Sequence, residues 1–226
     1  MTLTLASITV TFDHLWQFAQ KEAAQLSALP ESVFHSIGLR LELPTKAWKY
    51  YCTPRNAKTF ASTGCDGVHY SFLDPELLSY SQQNRPVVMP VVMTVPMSFD
   101  NPNIVVAETL YEFLCLGCRS GYFALETLSS CEGDFSALKS NDYAADLSRL
   151  QRGYLQKLSR AFSLVPYDGA LGALPRPIEG TLEGRLAQLQ SKYLDCLRMG
   201  EVKRVAAKRV AAKPTAPAAV TFGQFA

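Results

Sequence analysis

Hydrophobic and polar positions change period along this chain, and the changes mark out its elements. Over residues 2–12 apolar side chains alternate with threonines, which predicts a strand with a bulge at Ala6-Ser7. From 14 to 28 the spacing turns helical, since Leu15, Phe18, Ala19, Glu22, Ala23 and Leu26 share a face. Asp13 is placed to cap this helix and Pro30 to stop it. Residues 31–37 predict a further short turn of helix, and Gly38 opens a strand with Leu39, Leu41 and Leu43 on one face. A strand over 47–52 carries the aromatics Trp48, Tyr50 and Tyr51. Thr63 to Gly67 predicts a tight turn, because Gly and Asp tolerate positive φ, and Val68, Tyr70 and Phe72 then alternate as a strand. Strand pattern returns within Pro86–Met97 and at Ile104–Ala107, separated by the loop at Asn101-Pro102-Asn103.

The rest of the chain is helical in pattern. Leu110, Phe113 and Leu114 share a face of a helix over 107–117 that Gly117 ends. Leu147, Leu150, Tyr154, Leu155, Leu158 and Phe162 make an apolar stripe over 146–162. Leu182, Leu186, Leu189, Tyr193, Cys196 and Leu197 make a second over 181–199, joined to the first through the Gly/Pro-rich stretch 166–177. The two helices are expected to pack against the sheet and against each other as a C-terminal helical hairpin. Residues 1–200 read as one domain, and 201–226, with its tandem Lys-Arg-Val-Ala-Ala pentad, as a flexible, basic Ala/Pro-rich tail.

Composition narrows the class without naming a function. With 48% hydrophobic and 19% charged residues, the 226-residue chain is no disordered, collagen-like or coiled-coil protein. The net charge of +2 is unevenly placed. The tail from Glu201 onward holds five basic residues and one acid, so the first 200 residues carry −2. A near-neutral domain has no general pull toward nucleic acid or membrane, which leaves the tail as the only route to nucleic acid. The longest apolar run, Val87–Met97, is broken by Pro90 and Pro96 and is too short to span a bilayer. No export signal is visible at the N-terminus, and the six cysteines then read as reduced thiols of a cytoplasmic protein.

Three constellations could carry chemistry. Cys115 and Cys118 have the CxxC spacing of a zinc or redox pair, with Cys131 and His69 as the further ligands a zinc would need. The pair sits near a predicted helix end, where the dipole does not favour a thiolate, so buried thiols are the better reading and no cofactor is expected. In the turn TGCDGVH, Asp66 could orient His69 as a general base beside the Cys65 nucleophile, with Glu108 as a further group of a small hydrolase or transferase. The bland alternative is a hairpin turn whose glycines serve the backbone. Trp48, Tyr50 and Tyr51 offer an aromatic patch, though an aromatic strand is more often core. His14 and His35 stand alone in helical contexts. No Gly-rich phosphate loop, GxSxG elbow, HExxH motif or dinucleotide fingerprint occurs.

The order of features over residues 58–116 resembles the SUKH superfamily, the group of bacterial toxin-immunity proteins and a fungal cell-wall-synthesis regulator. The resembling residues are Thr59-Phe60-Ala61, the turn Thr63–Gly67, the strand Val68–Phe72, Pro86-Val87-Val88, and the strand running into a helix at Ile104–Leu114 with its Glu112-Phe113-Leu114. The resemblance implies an α+β fold, a curved, mainly antiparallel sheet flanked by helices, and a non-catalytic module that sequesters a protein partner, a toxin or a regulated enzyme, by occlusion. Members vary their binding surface, so no residue carries over; Asp66, His69 and Tyr70 around the turn, with Trp48, are the binding candidates here. An interaction scaffold docking through the basic tail is a third possibility. The sequence does not define an oligomeric state.

Overall fold

The computed structural model describes residues 10–43, 50–73, 89–130, 143–166, 184–194 and 196–197. Helix α1 (Phe12–Leu26) is capped by Thr11, and Asp13 lies inside its first turn. Thr11 Oγ1 accepts the His14 N–H at 3.3 Å while His14 Nδ1 accepts the Thr11 N–H at 3.4 Å, a reciprocal capping box. Thr11 has the extended backbone a cap needs, and Asp13 instead complements the positive end of the helix dipole. His14 is thus part of the helix start. The expected strand over 2–12 falls mainly on residues outside those described, and Val10 and Thr11 are not in a strand.

Five strands pair in sequence order, each antiparallel to the next: β1 (Arg40–Leu41), β2 (Ala57–Ser62), β3 (His69–Leu73), β4 (Val91–Thr94) and β5 (Asn103–Ala107). The fold is α+β, as expected. β1 is shorter than its Leu alternation suggested, although the Glu42 N–H still donates to the Phe60 carbonyl at 2.8 Å. The aromatic segment differs more. Tyr51 and Cys52 lie in a turn, Tyr50 is not in a strand, and Trp48 falls outside the described residues. Thr53 Oγ1 accepts the Tyr50 N–H at 3.0 Å, a local bond that closes the turn where alternation predicted a ladder. Of the Pro86–Met97 pattern, Val91–Thr94 forms the strand; Pro86-Val87-Val88 lies outside the described residues.

Every residue of β3, β4 and β5 is buried, so both faces of the sheet are covered. Phe60, Tyr70, Phe72, Met93, Ile104 and Val106 face the larger core. There they meet Leu15, Ala19 and Ala23 of α1, Phe113 and Leu114 of α2 (Leu110–Gly117), and Leu155 and Leu158 of α3 (Arg149–Phe162). Register shifts place an extra residue at Phe60 in β2 and at Val106 in β5, which turns Phe60 and Ala61, and likewise Val106 and Ala107, into the same core. On the other face Ala57, Leu73, Val92 and Val105 pack under Leu189, Tyr193 and Leu197 of α4, helical over 184–194 and again at 196–197. The two C-terminal helices are present; the α3 stripe enters the larger core, while α4 contributes Leu186 to the larger core and Leu189, Tyr193 and Leu197 to the second. Leu150 is an exception, standing exposed beyond its stripe. Residues 167–183, including Leu182, and the basic tail 201–226 lie outside the described residues.

Candidate functional site

The second face of the sheet is apolar at one end and polar at the other. Thr59, His69, Ser71, Thr94 and Asn103 are all buried there, beneath Cys52, Thr53 and Pro54 of the loop after Tyr51. Each polar group is paired, as burial demands. Thr59 and Ser71 share a hydrogen bond of 2.9 Å; Thr94 Oγ1 donates to Asn103 Oδ1 at 2.8 Å, and Asn103 Nδ2 donates to the Cys52 carbonyl at 3.0 Å. This network pins the loop to the sheet.

His69 is its most constrained member, with 2% of its surface exposed. Its Nδ1 lies 2.7 Å from the Gly67 carbonyl, which can only accept, so the proton sits on Nδ1. Nε2 then accepts from Thr53 Oγ1 at 2.9 Å. The Tyr50 ring stacks on the imidazole at 5.3 Å. The turn before it needs its glycines for two reasons. Gly64 and Gly67 have φ of 83° and 73°, and a Cβ on them would come within 2.3 Å of the His35 ring and 2.9 Å of the Tyr50 ring. Asp66 also takes a positive φ of 50°, which Asp tolerates.

A cleft of about 550 Å³ opens beside this turn, bordered by Glu31, Arg40, Glu42, Tyr50, Asp66 and His69. The turn TGCDGVH therefore does line a concavity, but its residues do not assemble a nucleophile and base. Both His69 nitrogens are committed to Gly67 and Thr53. Cys65 is exposed, with its Sγ 3.7 Å from Thr63 Oγ1. Glu108 is remote: it follows β5, whose Asn103 is the residue level with Thr94 and hence with His69, so it lies roughly 16 Å further along the sheet. Tyr70 faces the opposite way into the larger core, fully buried, its hydroxyl donating to the Tyr122 carbonyl at 2.7 Å. That placement removes it from any binding surface.

Cys115 and Cys118 sit at the end of α2, both buried. Burial pushes the Cys115 thiol upward, against the bonds from the Val165 backbone and Tyr111, and Cys118 Sγ donates to the Cys115 carbonyl at 3.2 Å. A reactive or metal-binding pair needs the reverse shift. His69 is on the far face of the sheet, and Cys131 lies outside the described residues. Among the described residues no three of His, Cys, Asp and Glu come together to hold a metal.

Exposed apolar side chains gather at the same end of the sheet. Tyr50, Tyr51, Met97 and Phe99 are 45%, 68%, 67% and 78% exposed. Tyr51 Oη donates to the Pro96 carbonyl at 3.3 Å, tying its turn to the β4–β5 loop. Sequence reasoning missed Met97 and Phe99, yet the signal was present. Two large apolar residues sit in Pro96-Met-Ser-Phe-Asp-Asn-Pro102, a stretch otherwise made of turn formers. Thr53 had no comparable signal, because its pairing with His69 spans 16 positions.

The titration of His69 gives a first test. Burial holds it below its ordinary value of 6.5, with the Gly67 bond and the Glu42 charge opposing. The folded state favours the neutral ring, so its contribution is complete above the unfolded value. It is lost on acidification through 6.5 toward the lower folded value, at up to ~1.4 kcal/mol per pH unit. Urea midpoints measured between pH 7.5 and 5 should fall in the wild type, and His69→Gln should flatten that limb. An unchanged slope in the variant would assign the effect elsewhere.

No helix among the described residues is long and apolar enough to cross a membrane. Comparison with known proteins returns no matching family model, no matching curated protein and no matching solved structure.

Proposed function

We propose that this chain is a non-catalytic protein-binding module whose contact surface is the sheet end bearing Tyr50, Tyr51, Met97 and Phe99. The observation that carries the reading is the exposure of these four side chains beside an imidazole spent on structural bonds. Tyrosine, phenylalanine and methionine are the residue types that supply binding energy at interface centres. They stand here on loops fastened to each other through Tyr51 and Pro96 and to the sheet through Asn103 and Cys52, so little ordering entropy opposes binding. Glu31, Glu42 and Asp66 outnumber Arg40 in the adjoining cleft, which favours a partner with a basic rim. The resemblance of residues 58–116 to the SUKH group supports a toxin or regulated enzyme as that partner, sequestered by occlusion. A reducing, cytoplasmic setting belongs to the same proposal, in keeping with Cys65 and Cys115 as thiols.

Pull-down from the native host tests it, with tagged wild type, a chain ending at Gly200 and Tyr51→Ser/Phe99→Ser side by side. The expected result is one stoichiometric partner held by the first two. The double variant, with an unchanged melting temperature, should bind roughly 100-fold more weakly, as loss of two interface anchors implies. A partner that persists on the double variant, or that leaves with the tail, overturns the assignment.

A further inference from the structure

A second concavity lies away from the sheet end, between the close of α2 and one side of α3. It measures about 320 Å³ and is bordered by Arg119, Arg152, Arg160, Gln156, Ser159 and the buried Leu155. The α3 residues recur at 152, 156, 159 and 160, the spacing of one helical face. Arg119 comes from the turn that follows α2. Three exposed arginines therefore border one groove.

No ion pair among the described residues consumes these charges. Among the described residues, the carboxylates in ion pairs are Glu22, Glu108 and Glu112, and their partners are Lys157, Arg185 and Lys192. Lys157 is on α3 as well, so the helix assigns a lysine to hold α1, and two of its three arginines, Arg152 and Arg160, border the groove. Like charges around a concavity repel, and a bound anion relieves that repulsion.

We infer that this groove binds a small phosphate-bearing ligand. A phosphate dianion presents enough acceptor oxygens for three guanidinium groups, each able to donate a paired, charge-assisted bond. Ser159 Oγ and the Gln156 amide supply neutral donors for the oxygens that remain, and Leu155 gives an apolar floor for the body of an ester. The volume is at the lower limit for small-molecule sites, which fits a free phosphate or a short phosphomonoester and excludes a bulky ligand from full burial.

Titration of the full chain at low ionic strength with inorganic phosphate, and separately with glycerol phosphate, separates the two sources. Backbone amide shifts at 118–119 and 152–160 report the place of binding. Saturable 1:1 binding of either ligand, with shifts confined to those residues, is the expected result. Arg152→Gln and Arg160→Gln should each weaken it about tenfold with the melting temperature unchanged, while Lys21→Gln, an equal change of charge at an exposed position of α1, should stay within twofold. Equal weakening by the control would mean general surface electrostatics and overturn the site. So would shifts spread over the surface, or binding seen only with a single-stranded oligonucleotide. The sheet-end variant Tyr51→Ser/Phe99→Ser should bind phosphate as the wild type does, which keeps this result independent of the partner assay.

Discussion

Phe113→Ala is expected to lower stability by about 3–5 kcal/mol, the range for truncating a large aromatic in a well-packed interior. The ring is fully buried and central to an aromatic cluster. It meets Phe60 edge-on at 5.6 Å, Tyr70 at 4.7 Å and Tyr122 at 5.2 Å. Its neighbours cannot collapse into the space. Tyr70 is held by its bond to the Tyr122 carbonyl, and Tyr122 by its own bond of 3.0 Å to the Leu114 carbonyl, with its ring lying against Gly117. The cavity therefore persists and the loss falls at the high end. Urea denaturation followed by tryptophan fluorescence would measure it. A change below about 1 kcal/mol would mean that the cluster repacks, contrary to the bonds that hold it.

Glu108→Ala is expected to cost about 2 kcal/mol at neutral pH and to loosen α4 selectively. Glu108 accepts from Arg185 Nη2 at 2.6 Å, from Tyr193 Oη at 3.3 Å and from Lys192. It thereby joins the end of β5 to the helix that covers the second face of the sheet. Arg185 keeps a second bond, Nε to Glu112 Oε1 at 3.2 Å, and the largely exposed Lys192 returns to water, so the loss stays below that of a fully buried pair. Burial alone would raise the Glu108 carboxyl, but the hydrogen bonds and charges of Lys192 and Arg185 outweigh it and hold the group below its ordinary 4.5. A depressed carboxyl stabilises the fold above its unfolded value and loses that contribution as pH falls through the folded one. The gap between wild type and variant should accordingly be full at pH 7 and shrink below pH 4.5. Hydrogen exchange should quicken over 184–197 while the β3 and β4 amides change little. A gap independent of pH, or exchange rising equally throughout, would refute this account of how α4 is held.

Much of the architecture was legible because short-range periodicity reports local conformation. The TGCDGVH stretch was recognisable as a turn leading into a strand, since two glycines and an aspartate answer a local steric demand. The α2 start, expected at 107, lies at Leu110, and the signal that marks it was present but passed over. Thr109 and Glu112 stand in the Thr-x-x-Glu spacing, and Thr109 Oγ1 accepts the Glu112 N–H at 3.1 Å while Glu112 accepts the Glu108 N–H at 2.6 Å. The site was less legible. His69 beside Asp66 and Cys65 suggests catalysis in one dimension, yet its bonds go to Gly67 and to Thr53, which a separate loop delivers. Tyr50 and Tyr51 read as strand because β propensity describes a half-buried surface, and a single Thr53 bond to the Tyr50 N–H turns the chain instead.

Although it missed β2 and put a strand over 47–52, the residue pattern alone carried the strands around Leu41, Tyr70, Val92 and Val105, the αL turn at 64–67 and the apolar stripes of the two C-terminal helices. All of these follow from steric rules acting within a few residues. Which polar groups are spent and which stay available followed from long-range packing alone. It commits His69 to the loop at Thr53, commits Glu108 to α4, brings Tyr51 against the 95–98 turn, and gathers Arg119 with Arg152 and Arg160. The physical reason is that a buried polar atom takes whatever partner folding brings within about 3 Å, and that partner's place in the sequence leaves no periodic trace.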